Sequence, residues 1–257
     1  MGRVTGMDIL KRHPFAIKAR FERVVAVSFA FPEEVVAELL PRGLELDSYE
    51  GWGFVTVAMV WTRGLRPAGF PGILGRNFFL AGYRVFARLD DGERRLRGLK
   101  ILRSETDKRS MVLLGNLMTG YNYRRVDLEV VETGEKTRVK CVLPGGGVSL
   151  DMSFISGLET GLPLPPGSPF PDWRTARMFA GPMPFTFSPG PQGAFTVVEG
   201  TRASWKPVPV ELKEWKVGLF DEAPFSGITP VLANAFMVED VDYRWEKGRV
   251  VKAGGGK

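Results

Sequence analysis

The sequence predicts a β-rich α+β fold in which a β-barrel or antiparallel sheet carries a few peripheral helices. Several segments alternate apolar and polar residues with the period of two that strands require, as in Phe21–Phe31 and Tyr121–Val131. Segments with helical periodicity are few and short. No strand–helix–strand rhythm recurs along the chain, so a parallel α/β sheet is not expected.

Strands are predicted where such a segment, or an apolar run, is bounded by turn-forming residues such as Gly, Pro and Asp. The predicted strands are Phe21–Phe31, Trp52–Trp61, Phe78–Leu89, Arg95–Arg103, Tyr121–Val131, Lys136–Leu143, Val148–Phe154, Ala194–Ala203 and Phe236–Trp245.

Two segments carry helix start signals. Pro32-Glu33-Glu34 predicts a short helix that continues to Leu40, because proline is tolerated in the first turn and acidic residues favour a helix N-terminus. Ser104–Asp107 resembles a capping box and predicts a helix from Glu105 to about Met118.

The composition indicates a globular protein with a sizeable core, since 44% of the 257 residues are hydrophobic and 25% are charged. No apolar run approaches the roughly 18–20 residues that cross a bilayer. The N-terminal segment Met1–Arg23 lacks the continuous apolar core of a signal peptide. We therefore expect a soluble, cytoplasmic protein without a membrane partner.

The net charge of +6 raises the question of nucleic-acid binding. The basic residues are interleaved with Asp and Glu, and no recognition-helix, zinc-finger or RNP-like pattern is present. We expect no nucleic-acid partner. A basic interior that holds an anionic metabolite is an equally simple use of the excess charge.

The chain has one histidine, His13, and one cysteine, Cys141. This scarcity excludes an intramolecular disulfide and argues against Ser-His-Asp hydrolases, Cys-His proteases and histidine-ligated metal sites. We expect no metal and no cofactor. His13 precedes a proline near a chain end, and Cys141 is interpreted as a small buried residue.

Five segments together resemble the DUF2071 or YqjF-like family of the acetoacetate decarboxylase-like superfamily. They are Leu39–Gly51, Gly64–Pro71, Phe78–Phe86, Trp173–Arg177 and Ser204–Val208. The resemblance implies an acetoacetate decarboxylase-like β-barrel and makes a homo-oligomer plausible. It runs through both halves of the chain, which favours a single domain over residues 14–247, with an N-terminal extension at 1–13 and a disordered tail at 248–257.

In the decarboxylase branch, a lysine forms a Schiff base with a β-keto acid, and a neighbouring lysine lowers its pKa. The motif that carries this pair resembles "G-Y-P-K-K", which falls here on Gly120-Tyr121-Asn122-Tyr123-Arg124. The positions of the two lysines therefore read Tyr123 and Arg124. In another motif the family's glutamate reads Leu80, while its arginine survives as Arg84. The resemblance thus implies the fold without the imine-forming lysine.

Arg84 and Arg124 are candidate ligands for a carboxylate or phosphate, because guanidinium groups match such anions with two parallel hydrogen bonds. Arg124 attracts interest because it lies on an otherwise apolar row of the predicted Tyr121–Val131 strand. The alternative is a structural ion pair with Asp127, Glu129 or Glu105.

Tyr121 and Tyr123 could orient a bound anion through their hydroxyls, or could simply pack in the core or at its rim. Lys100 lies inside the apolar strand Leu96–Leu102. A desolvated lysine there could act as a nucleophile, although a strand lysine can also reach its ammonium into water.

Three functions remain open at this stage. The first is a barrel that binds a small organic anion, a keto acid or another carboxylate, through Arg84, Arg124, Tyr121 and Tyr123. The second is a decarboxylase- or aldolase-type lyase that uses Lys100. The third is a non-catalytic structural or interaction protein with a packed barrel.

Overall fold

The computed structural model describes residues 11–157 and 162–254, and within these ranges the chain forms fifteen strands and three α-helices. The strands are β1 (Ile17–Pro32), β2 (Glu45–Leu46), β3 (Trp52–Pro67), β4 (Arg76–Asp90), β5 (Arg95–Thr106), β6 (Tyr123–Arg125), β7 (Asp127–Thr133), β8 (Lys136–Val142), β9 (Val148–Ile155), β10 (Phe185–Pro189), β11 (Ala194–Arg202), β12 (Val208–Pro209), β13 (Glu211–Val217), β14 (Val231–Trp245) and β15 (Arg249–Lys252). The helices are α1 (Glu33–Ala37), α2 (Arg109–Met118) and α3 (Trp173–Phe179).

The larger sheet closes on itself. Its strands follow the order β14-β1-β3-β4-β5-β10-β11, and β11 pairs in turn with β14. Most of the neighbours are antiparallel, whereas β10 and β6 run parallel to β5. The predicted β-rich α+β class is confirmed.

A second sheet of four strands, in the order β13-β9-β8-β7, covers one outer face of this barrel. The core between the two sheets contains fully buried side chains such as Phe29, Tyr83 and Met152. Strands β1, β3 and β4 are therefore apolar on both faces, because one face meets the second sheet and the other faces the barrel interior.

The predicted helix from Glu105 begins later than expected, at Arg109. Glu105 is instead fully buried in β5, where it accepts a hydrogen bond of 2.8 Å from the Tyr83 hydroxyl. This tertiary hydrogen bond outweighs the local capping signal, and no side chain caps the helix at Lys108.

The predicted strand Tyr121–Val131 is two strands in different sheets. β6 pairs with β5 of the barrel, and β7 pairs with β8 of the second sheet. Val126 lies between them, fully buried, and its N–H donates to the carbonyl of Thr106. Alternation continues through this switch, so the sequence pattern does not reveal it.

The C-terminal end of the chain differs from expectation where the structure describes it. Arg249–Lys252 form β15, which pairs with β11, although the tail was predicted to be disordered from residue 248. Residues 1–10 of the predicted N-terminal extension and residues 255–257 of the tail lie outside the described residues.

Candidate functional site

The barrel encloses a cavity of about 340 Å³. Side chains from β1, β3, β4, β5 and β14 form its walls, and helix α2 covers part of it through residues such as Met111 and Leu114. The cavity is partly open to solvent, and its lining includes the exposed residues Leu74 and Arg76 and the partly exposed Arg66.

A row of small residues explains why the interior is not filled by side chains. The row crosses four neighbouring strands as the cross-strand partners Ala26, Ala58, Gly82 and Ser104, all of which line the cavity. It continues into Phe236 on β14 and Tyr123 on β6. A small barrel is normally filled by its inward-facing side chains, so a row of Ala, Gly and Ser leaves space for a ligand.

Arg84 lies in the next row, between its cross-strand partners Thr56 and Ile101. It follows Phe78, Leu80 and Gly82 on the inward-facing side of β4. A register shift occurs in the β4–β5 pairing at Arg84, and such β-bulges re-aim side chains near functional sites.

The Arg84 guanidinium has no structural counter-ion. Within the described part of the chain, no carboxylate lies within 4.0 Å of it, and its buried Nε has no hydrogen-bond partner. Burial lowers the pKa of Arg84 below its ordinary value. A guanidinium kept charged in such a place is costly unless an anion can reach it.

Three more buried polar atoms without partners belong to residues that line the same cavity: Nδ1 of His13, the hydroxyl of Tyr121 and Nε1 of Trp205. Thr186 lies beside the Tyr121 hydroxyl but not in hydrogen-bonding geometry. Buried polar atoms are normally satisfied, so this group of free donors and acceptors is suited to a bound molecule.

The charge inside the cavity is positive. Among the described residues that line it are four arginines, at positions 66, 76, 84 and 202, and no Asp, Glu or Lys. Arg202 donates a hydrogen bond of 2.8 Å to the carbonyl of Pro182, and its guanidinium lies over the ring of Trp205. Burial raises the pKa of Tyr243, and the nearby Arg202 and Arg84 oppose this shift.

Helix α2 and the segment Gly120–Arg125 hold Tyr121 and Tyr123 in position, the two tyrosines predicted to orient a bound anion. The backbone N–H of Tyr123 donates a hydrogen bond of 2.7 Å to Oδ1 of Asn116. The ring of Tyr123 lies so close to Gly115 that a Cβ at position 115 would collide with it. Burial raises the pKa of Tyr123 to about 12 and also raises the pKa of Tyr121. Both phenols therefore stay protonated at neutral pH and can donate hydrogen bonds.

The structure brings Arg84, Tyr121 and Tyr123 together around one cavity. It does not bring Arg124 to them: Arg124 is exposed, outside the cavity, beside the surface ion pair of Arg125 and Asp127. The apolar row that drew attention to Arg124 is interrupted by the switch between sheets.

Lys100 also lies away from the cavity. Its cross-strand partner is Val85, which faces the core between the sheets, whereas the flanking Leu99 and Ile101 line the cavity. Lys100 is 8% exposed, and its Nζ donates a hydrogen bond of 2.6 Å to the carbonyl of Ile101. Burial lowers the pKa of Lys100.

Sequence reasoning missed His13, Arg202, Trp205 and Tyr243 as cavity residues. His13 was placed near a chain end, but it is 4% exposed and is held by backbone hydrogen bonds to Met118 and Gly248. For Tyr243 a signal was available, because alternation along β14 places it on the same face as Val241 and Trp245.

No group of three or more His, Cys, Asp or Glu residues in the described ranges is arranged to hold a metal ion. None of the helices in those ranges is both long and apolar enough to span a bilayer.

The DUF2071 family, described as an uncharacterized conserved protein, matches residues 18–240. The chain belongs to the DUF2071 family. No match is found among proteins with curated functions.

Solved structures of acetoacetate decarboxylases and related enzymes are similar in fold to this DUF2071 protein, which confirms the predicted acetoacetate decarboxylase-like architecture. An acetoacetate decarboxylase from Legionella pneumophila is 13% identical, with a TM-score of 0.61 over 93% of this chain and 88% of that one. An acetoacetate decarboxylase-like enzyme from Sphingomonas wittichii RW1 is 12% identical, with a TM-score of 0.59 over 94% of each chain. The enduracididine biosynthesis enzyme MppR in complex with pyruvate is 12% identical, with a TM-score of 0.58 over 93% of this chain and 91% of that one. At such identities the similarity concerns the fold.

Proposed function

We propose that this protein binds a small organic anion, specifically a carboxylate, inside the barrel, and that Arg84 is its principal ligand. The observation that carries the proposal is the imbalance of charge: four arginines and no carboxylate line the cavity among the described residues. A bound anion supplies the missing negative charge.

The geometry of Arg84 suits a carboxylate. A guanidinium presents its N–H donors in a planar fork that matches two carboxylate oxygens. The unpaired hydroxyl of Tyr121 and Nε1 of Trp205 are further donors of residues that line the cavity. Hydrogen bonds of this kind are strengthened in an interior that excludes water.

The fold relatives support the same class of ligand. MppR, which shares the fold, has been solved in complex with pyruvate, a keto acid. The proposal for this chain is binding rather than imine chemistry, because no lysine lines the cavity in the part of the chain that the structure describes.

The test compares Arg84→Gln with the matched variant Arg124→Gln. Both remove one guanidinium, but Arg124 is exposed and lies outside the cavity. Isothermal titration calorimetry with pyruvate, acetoacetate, benzoate and octanoate would measure binding to each protein. We expect at least one of these anions to bind wild-type and Arg124→Gln equally, and Arg84→Gln at least about tenfold more weakly.

Circular dichroism establishes that both variants are folded, and Arg84→Lys, which keeps the charge, should recover part of the affinity. The proposal fails if none of the four anions binds, or if Arg84→Gln binds as tightly as Arg124→Gln.

A further inference from the structure

The cavity is large compared with the smallest keto acids. An interior cavity of about 150 Å³ is enough to bind benzene, whereas this one measures about 340 Å³. A three- or four-carbon acid held at Arg84 would leave most of that volume without contacts. Apolar walls that face an empty space lose their dispersion energy.

Much of the cavity wall is apolar. The residues that contribute carbon surface include Phe21, Val24, Val60, Leu80, Leu99 and Phe236. Three aromatic rings on one side are in mutual contact, since the centroid of Phe21 lies 5.0 Å from that of Tyr243 and 5.6 Å from that of Trp245. Such walls favour a ligand that is mostly hydrocarbon.

The two kinds of surface meet on β4, where the Arg84 guanidinium leans over Gly82: a Cβ added to Gly82 would lie 3.5 Å from Nη2 of Arg84. Arg84 lies one row from the small-residue row at Gly82, and the next row contains Leu80 beside Val60. A carboxylate at Arg84 would therefore have its attached group over the small-residue row and among apolar side chains.

The solvent-exposed part of the cavity lining combines the same two chemistries. Arg66 and Arg76 belong to it together with Leu74, which is 56% exposed, and the adjacent Ile73 is 92% exposed. Arg66 is held in place by hydrogen bonds to the carbonyls of Gly64 and Phe70. A surface with cations and exposed hydrocarbon is suited to capture an amphipathic anion.

We infer that the ligand is a monocarboxylate with a large apolar body, a medium-chain aliphatic or an aryl-substituted acid, rather than a three- or four-carbon keto acid. This inference rests on the proposed function. It assigns the carboxylate to Arg84 and the hydrocarbon to the space over Ala26 and Ala58.

A homologous series of acids tests this assignment. Calorimetric titration with acetate, butanoate, hexanoate, octanoate and decanoate, together with phenylacetate and naphthylacetate, would give affinity against apolar size. We expect about a fourfold gain for each added methylene until the cavity is filled. Pyruvate and acetoacetate should bind at least about a hundredfold more weakly than the best acid, because they bury far less hydrocarbon.

A cavity-filling variant supplies an independent readout. Ala58→Leu adds three carbons at the centre of the small-residue row, so the optimal aliphatic acid should become shorter by about three methylenes. Butanoate should retain its wild-type affinity for this variant, which also shows that the variant is folded.

Octanol tests the role of the carboxylate. It has the same hydrocarbon chain as octanoate without the negative charge, so it should bind the wild type at least about tenfold more weakly than octanoate.

The outcomes separate this inference from the proposed function. Arg84-dependent binding of pyruvate or acetoacetate with no gain along the series would overturn the inference and leave the proposed function intact. Equal affinity for octanol and octanoate would overturn the proposed function. An unchanged optimum in Ala58→Leu would contradict the placement of the hydrocarbon.

Discussion

Asn116 and Tyr123 are joined by two reciprocal hydrogen bonds: the Asn116 amide accepts from the Tyr123 N–H at 2.7 Å and donates to the Tyr123 carbonyl at 2.9 Å. The pair links helix α2 to the short strand β6. It therefore holds the cavity-lining Tyr123 in place. A side chain on the helix surface thus fixes the geometry of an interior wall.

Asn116→Ala removes both hydrogen bonds and should lower the free energy of unfolding by about 1–3 kcal/mol, since each bond contributes about 0.5–1.5 kcal/mol net. Urea denaturation followed by circular dichroism measures this change. Leu113→Ala is the matched control, because Leu113 is 70% exposed on the same helix. Equal effects of the two substitutions would mean that the bonds to Tyr123 contribute nothing to stability.

Asp47 is a second residue on which the fold should depend. Its carboxylate is fully buried and bridges Arg88, at 2.6 Å, and Arg97. Asp47→Asn leaves two partly buried guanidinium groups without a counter-charge, so we expect a loss of about 2–4 kcal/mol in the free energy of unfolding. Denaturant titration at neutral pH measures it.

Asp240→Asn is the control for that experiment, because Asp240 pairs with Arg20 at the surface and is 70% exposed. Surface ion pairs of this kind contribute little to stability. If Asp47→Asn were as mild as Asp240→Asn, the buried bridge would not be a structural requirement.

The sequence predicts the strands well because alternation is local, but it does not show where the chain changes sheets. Alternation continues from Tyr121 to Val131, yet β6 and β7 belong to different sheets and Arg124 becomes a surface residue. The helix start predicted at Glu105 is wrong for a similar reason. The capping signal depends on neighbouring residues in the sequence, whereas the hydrogen bond that Glu105 accepts from Tyr83 joins two different strands.

Arg84 shows what the pattern could have revealed. It follows Phe78, Leu80 and Gly82 at a spacing of two, so a charge on an apolar row was visible in the sequence. The cavity was not predictable, because it depends on the register that aligns Ala26, Ala58 and Gly82 across three strands. The assembly state stays a prediction.

The position of Lys100 predicts that it forms no Schiff base. Its Nζ donates to the carbonyl of Ile101 on the sheet face opposite the cavity, so a keto acid at Arg84 does not meet this amine. Borohydride reduction in the presence of pyruvate or acetoacetate, followed by mass spectrometry, should leave Lys100 unmodified. Lys100→Met should bind carboxylates as the wild type does. An adduct on Lys100 would favour the lyase alternative.

His13 should make stability depend on pH in the range where few other groups titrate. Burial lowers the pKa of His13 below its ordinary value of 6.5, so the unfolded chain binds the proton more readily than the folded one. Stability contributed by the neutral imidazole is therefore complete above about pH 6.5 and is lost as the pH falls towards the folded-state pKa. The slope from one such group is at most about 1.4 kcal/mol per pH unit.

The effect of His13 can be measured separately from that of other groups, because His13 is the only histidine and carboxylates titrate mainly below about pH 5. Thermal and urea denaturation between pH 5 and 8 should thus show a slope that disappears in His13→Gln. The control variant Lys247→Gln changes an exposed basic residue next to Gly248, whose N–H donates to the His13 carbonyl, and it should keep the slope. A wild-type protein whose stability is flat over this range would show that the His13 imidazole accepts a proton without opening the structure around it.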